Sequence, residues 1–169
     1  NYGSYRHSAG SAWDLKTDST CGYEIASPII TTYHQLIKAA KITDLIKQHG
    51  GTVNEKCGLH VHVDMNGIDQ EHFDRIMRFM SRYEDAFFLL ADPSRQSNRW
   101  CLKLASSHMD AIKRGDDFRQ VWRDKYYWLN GTHLRGQGTI EFRLMASHLE
   151  AEYIVGWVLF LLHSIDYLL

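Results

Sequence analysis

The chain is 169 residues long, 44% hydrophobic and 23% charged, with a formal net charge of −1. That length suits one domain with a substantial core and no need of staples. The near-zero charge, without a basic run anywhere, argues against a general nucleic-acid binder. Cys21, Cys57 and Cys101 are odd in number and include no Cys-x-x-Cys pair. This disfavours a disulfide framework or a zinc knuckle and points to a reducing, cytoplasmic compartment.

The opening "NYGSYRHSAG" is neither a signal nor a transit peptide, and it carries no starting Met. "DSTCGYEIASP" supplies Asp18 and Glu24 in a short extended run that ends at Pro28. "TTYHQLIKAAKITDLIKQHGG" is predicted to be one helix, capped by Thr31 or Thr32 and stopped at Gly50 and Gly51. "TVNEKCGLHVHVD" reads as a strand pair or one long strand, and Asn66–Gly67 marks the turn after it. Asp69 caps an amphipathic helix whose stripe runs through Phe73, Ile76, Met77 and Met80 and continues to Phe87 and Leu90. The stripe reads as core. "ADPSRQSN" ends that helix, and "DDFRQVWRD" suggests a short one later.

"YYWLNGTHLRGQGTIEFRLMAS" offers strands separated by glycines. The last segment, from Tyr153, is apolar nearly all round, which predicts a deeply packed helix. His163 and Asp166 interrupt it, leaving about half of the roughly 20 residues a membrane span needs. The expected fold is α+β: an antiparallel sheet with one polar, active-site face, backed by helices.

Two strands repeat one pattern. In "CGLHVHVD", Leu59, Val61 and Val63 alternate with His60, His62 and Asp64. In "TIEFRL", Ile140, Phe142 and Leu144 alternate with Thr139, Glu141 and Arg143. The two-residue period of a strand puts each polar set on one face. Glu141 and Arg143 taken alone read as a cross-strand salt bridge. If these faces and the one bearing Asp18 and Glu24 share a sheet, they converge on a surface for a divalent cation and an anionic substrate. Imidazole and carboxylate suit the cation, and the arginine fork suits phosphate or carboxylate.

The order "DSTCGYEIASPI", "CGLHVHVD", "GTIEFRL" resembles the amidoligase family, from about Trp13 to the C-terminus. That family is similar to the glutamine synthetase superfamily of carboxylate–amine ligases, which implies a glutamine synthetase-like catalytic sheet binding ATP and metal. By this resemblance His60 corresponds to a metal-binding histidine and His62 to one near the nucleotide. Glu141 corresponds to a metal-ligand glutamate, and Arg143 to an arginine on phosphate or acyl substrate. Glu24, with Asp18 as its companion, corresponds to the other metal site. Arg95 and Arg99 fall roughly where members carry active-site arginine and asparagine, and ordinary surface arginine is the alternative for both.

The implied reaction is ATP-dependent amide formation through an acyl phosphate, with Mg²⁺ or Mn²⁺ as cofactor. Its partners would be a carboxylate and an amine from an amino acid, a peptide or a protein, with no nucleic acid and no membrane. Members usually begin with a Glu-x-Glu strand, and nothing upstream of Trp13 has that pattern. Residues 1–169 are thus expected to form a single amidoligase-like domain lacking that strand. A catalytically silent relative serving as a binding or structural module is the alternative, and a His-x-His metal hydrolase ranks last.

Overall fold

A computed structural model describes residues 12–117, 121, 122 and 124–169. The opening eleven residues, and residues 118–120 and 123 of the helix expected at "DDFRQVWRD", lie outside the described residues. The chain is α+β, with two small antiparallel sheets where the sequence predicts one. The first pairs β1 (Asp14–Asp18) with β2 (Gly22–Ala26); the second has the order β3 (Val61–Asp64), β5 (Thr139–Phe142), β4 (Leu129–Asn130).

The helices are α1 (Tyr33–Ala40), α2 (Ile42–Gln48), α3 (Gln70–Arg82), α4 (Glu84–Leu90), α5 (Pro93–Gln96), α6 (Ser106–Arg114) and α7 (Ala151–Asp166). Two helices expected to be continuous are broken. The first divides at Lys41, which ends α1 and begins α2. Its start follows the expectation: Thr32 and Gln35 form a reciprocal capping box. The second divides at Tyr83, between α3 and α4. Asp69 caps α3 by accepting the His72 N–H, and Phe73, Ile76, Met77 and Met80 are buried as expected. The predicted stripe fails past that break: Phe87 is buried, whereas Leu90 is 60% exposed.

The main core lies between the three-stranded sheet and α3, α4 and α7. Register explains which strand residues enter it. Val61, Phe142 and Leu129 stand opposite one another, as do Val63 and Ile140, and these rows face the helices. Glu84 fastens β4 from the core side. One of its oxygens accepts both the Leu104 N–H and the Trp128 indole N–H, each at 2.7 Å. The last helix corrects another expectation. In α7 only the stripe Trp157, Leu161 and Ile165 is buried, and Tyr153 and Phe160 are largely open. It covers the core from one side, with α1 and α2 against part of its flank. Composition alone does not separate a helix covered on one side from one enclosed. No described helix is long and apolar enough to cross a membrane.

Candidate functional site

The row adjacent to Val61–Phe142–Leu129 is polar. His62 and Asn130 stand on either side of Glu141, so register alone places all three on the sheet face turned away from the helices. Glu141 is the hub, with only 3% of its surface exposed. Its Oε1 accepts from Arg143 Nη1 at 2.6 Å, with His60 Nδ1 at 3.2 Å and His62 Nε2 at 3.8 Å. Its Oε2 accepts from Asn130 Nδ2 at 2.6 Å and lies 3.6 Å from His133 Nε2. The Glu141–Arg143 ion pair expected across strands forms locally instead, between Glu141 of β5 and Arg143 one residue past its end.

These contacts set the charges. Burial pushes the Glu141 carboxyl upward, but the His133 hydrogen bond, Arg143, His60 and His62 outweigh it. The net result holds Glu141 well below the usual carboxylate range. His60 is driven the other way for a histidine, down to about 4, by burial first and then by the Arg143 charge. At neutral pH the cluster therefore presents a carboxylate anion beside an uncharged imidazole, the protonation states that metal coordination requires. His62 Nδ1 lies 3.2 Å from Thr139 Oγ1, which turns Nε2 toward Glu141. The rings of His62 and His133 meet edge-on at 4.9 Å. One ligand atom each from His62, His133 and Glu141 lies within 4.8 Å of the others, a donor set that fits a divalent cation.

His133 comes from the loop between β4 and β5. The far end of that loop is latched to the end of β3. Met65 N–H donates to Gly138 O at 2.8 Å, and the Asn66 amide fills the space a side chain on Gly138 would need. Gly138 also has a φ of +70°, so residue and conformation agree.

The other sequence-predicted residues are placed differently. Arg143 is fixed on three sides: its N–H donates to Trp128 O, Nε to Trp100 O and Nη1 to Glu141. Arg95 is buried, and its guanidinium donates to the main-chain oxygens of Arg143 and Leu144. Arg99 is exposed and lies over the Trp100 ring at 4.5 Å. Glu24 and Asp18 belong to the β1–β2 hairpin, which pairs with no strand of the sheet that carries Glu141.

In that hairpin Asp14, Lys16, Asp18 and Glu24 are half-buried, while Leu15, Tyr23 and Ile25 are exposed. Asp18 Oδ1 is taken up by its own turn, accepting from the main chain of Thr20 and Cys21 and from the Thr20 hydroxyl. These bonds, led by the hydroxyl, hold its carboxyl at about 2. The turn lies toward the start of the His60 segment. The Cys21 thiol, pushed up to about 11 by burial and by Asp18, also feels Cys57.

Sequence reading passed over His133 and Asn130. Neither belongs to a long alternating run, since β4 spans two residues and His133 sits in a loop. The available signal was "NGTH", a polar residue and a histidine in the short connection leading into "TIEFR".

Compared with known proteins, residues 3–165 match the family model described as "Putative amidoligase enzyme". No curated protein and no solved structure matches the chain.

Proposed function

We propose, from the premise that this chain belongs to the amidoligase family, that it is an ATP- and metal-dependent carboxylate–amine ligase. In this reading residues 1–169 act as one amidoligase-like domain with a glutamine synthetase-like active sheet. Its substrates are a carboxylate and an amine, borne by an amino acid, a peptide or a protein. The observation that supports it is the buried anionic Glu141, ringed by three imidazoles and a fixed arginine.

His62, His133 and Glu141 would hold Mg²⁺ or Mn²⁺, with His60 alongside. Such an ion supplies charge neutralisation for phosphoryl transfer. The chain's own residues do the rest. Glu141 is kept ionised by its neighbours, so no proton has to leave before a cation binds. Thr139 orients His62, and Asn130 orients Glu141. Arg143, fixed at Nε and Nη1, presents a rigid fork suited to a phosphate or carboxylate. In the chemistry this serves, the γ-phosphoryl group passes to the substrate carboxylate. The amine then displaces phosphate from the acyl carbon. Glu24 and Asp18 would complete a second metal site if the hairpin face turns toward the cluster. His62 and Arg99 are the residues proposed for the nucleotide side, whereas Arg95, 1% exposed, is closed off from it.

One observation favours the silent-relative reading. Glu141 is the one carboxylate of the clustered donor set, and both of its oxygens already have partners. Thermal unfolding with Mn²⁺ and ATP separates the two readings. The ligase reading expects stabilisation of about 2.7 kcal/mol at a hundredfold excess over Kd. It also expects phosphate release with a panel of amines and carboxylates. Stabilisation without turnover across the panel would support the silent relative, and no stabilisation at all would remove both ATP and metal from the reading.

A further inference from the structure

The geometry points to Arg95 as a positioning residue: its buried guanidinium holds the main chain from which Arg143 reaches Glu141. The side chain is 1% exposed. Nε donates to Leu144 O at 3.0 Å and Nη2 to Arg143 O at 2.7 Å. Successive carbonyls of an extended strand point to opposite sides. One fork can take both only where the regular ladder ends, and β5 does end at Phe142, just before these two residues, although Arg143 N–H still donates to Trp128 O. Trp128 N–H is turned to Leu102 O, so Arg95 supplies the donor that Arg143 O would otherwise lack.

The rest of its segment works on the same residue. Trp100 O accepts Arg143 Nε at 3.3 Å, and the Cys101 thiol ties back to Arg95 O at 3.4 Å. Arg95 also abuts the second segment of the site. A Cβ added at Gly58 would lie 3.0 Å from Arg95 Nη2 and 2.9 Å from His60 Nε2, so the bare glycine is what lets the two approach.

Among the described residues no carboxylate is within ion-pair distance of Arg95. The buried cation is satisfied by main-chain oxygens, a role that needs a planar fork. Lys offers one ammonium and cannot reproduce both bonds in that plane. A guanidinium committed in this way is not exposed to a nucleotide, which separates the inference from a ligand-contacting role.

The test begins with the full chain labelled with ¹⁵N-arginine, and this arm does not depend on the ligase reading. In the wild type, Arg95 Nε–H should exchange far more slowly than that of Arg99. In Arg95→Lys, Arg143 Nε–H should lose its protection on Trp100 O. The second arm rests on the proposed ligase function. Mn²⁺ affinity, read as free Mn²⁺ by EPR, should fall about 10- to 100-fold. Turnover should fall similarly, with nucleotide KM changed less than threefold. Arg114→Lys, at the exposed end of α6, should leave all of these unchanged.

Wild-type Arg95 Nε–H exchanging as fast as Arg99, or a folded Arg95→Lys with Arg143 Nε–H still protected, overturns the inference. So does a loss confined to nucleotide KM. If Arg95→Lys does not fold, Gly58→Ala presses on the same two groups. It should deprotect Arg95 Nε–H and weaken Mn²⁺ binding, and unchanged values there count against positioning. A wild type that binds no Mn²⁺ and turns nothing over removes the ligase reading, and the exchange measurements still decide the role of Arg95.

Discussion

The β1–β2 hairpin and the β3–β5–β4 sheet carry the same sequence signature, polar residues alternating with apolar ones, and fold to opposite outcomes. In the sheet the apolar rows meet helices, and Glu141 and Asn130 of the polar row are buried. In the hairpin the apolar side is the open one: Leu15 is 66% and Tyr23 68% exposed, while Lys16 and Glu24 face inward. Alternation states which residues share a face. It does not state which face is covered, because that depends on what packs behind the strand, and among the described residues no residue of β1–β2 joins the core that the sheet shares with the helices.

The strongest way to break this comparison is at the two glutamates. Glu141→Ala leaves Arg143 buried without its partner, and we expect a loss of about 3–5 kcal/mol in urea unfolding. Glu24→Ala should stay within about 0.5 kcal/mol. Comparable losses would mean the hairpin face is as sealed as the sheet.

Arg143 gives the next largest effect. Arg143→Lys should reduce phosphate release by at least about tenfold, worth about 1.4 kcal/mol, and nearly as much as Arg143→Ala. A surface ion pair would contribute about 0–1 kcal/mol and tolerate Lys. Full activity in the Lys variant would take Arg143 out of the site.

Acid titration separates the two regions by pH window. His60 has a folded pKa near 4 against 6.5 for the free side chain, so the unfolded state binds the proton first. Stability should therefore fall as pH drops from about 6.5 toward 4, and His60→Gln should flatten that slope. Asp18, held at about 2 against 3.8, contributes fully at any pH above 3.8 and loses its part only as pH falls from 3.8 toward 2. Urea midpoints across pH, with and without His60, measure this. An unchanged slope in His60→Gln would show that the ring is not protected from protons.

The smallest effects belong on the open side of the hairpin. Leu15→Ser and Tyr23→Ser should each shift stability by less than about 0.5 kcal/mol. A loss of 2 kcal/mol at either position, read by the same denaturation, would show that this face is covered in solution.

The central pair of strands was legible because two tests agreed on each residue: the period of two and the chemistry of the polar set. Caps were legible for a similar reason, since Thr32 with Gln35 and Asp69 with the His72 N–H are local arrangements written within three residues. What failed was long-range. The breaks at Lys41 and Tyr83 carry no Gly or Pro, so no local signal marks them. The exposure of Leu90 and the open flank of α7 follow from which sides are covered. Of the site, His60, His62, Glu141 and Arg143 came from the pattern. Asn130 and His133 did not, because a two-residue strand and a loop have no period to read.

The pairing of His62 with Glu141 has a consequence for when the site comes into being. Asn130 and Glu141 are 11 residues apart, whereas His62 and its Thr139 contact are separated by 77. Closing the longer loop costs about 2 kcal/mol more entropy than closing the shorter one. The β4–β5 half can thus form early from neighbouring residues, while the histidine strand must be recruited from across half the chain. During synthesis Glu141 and Arg143 emerge long after His60 and His62. The newborn chain carries those imidazoles before the carboxylate that gathers them.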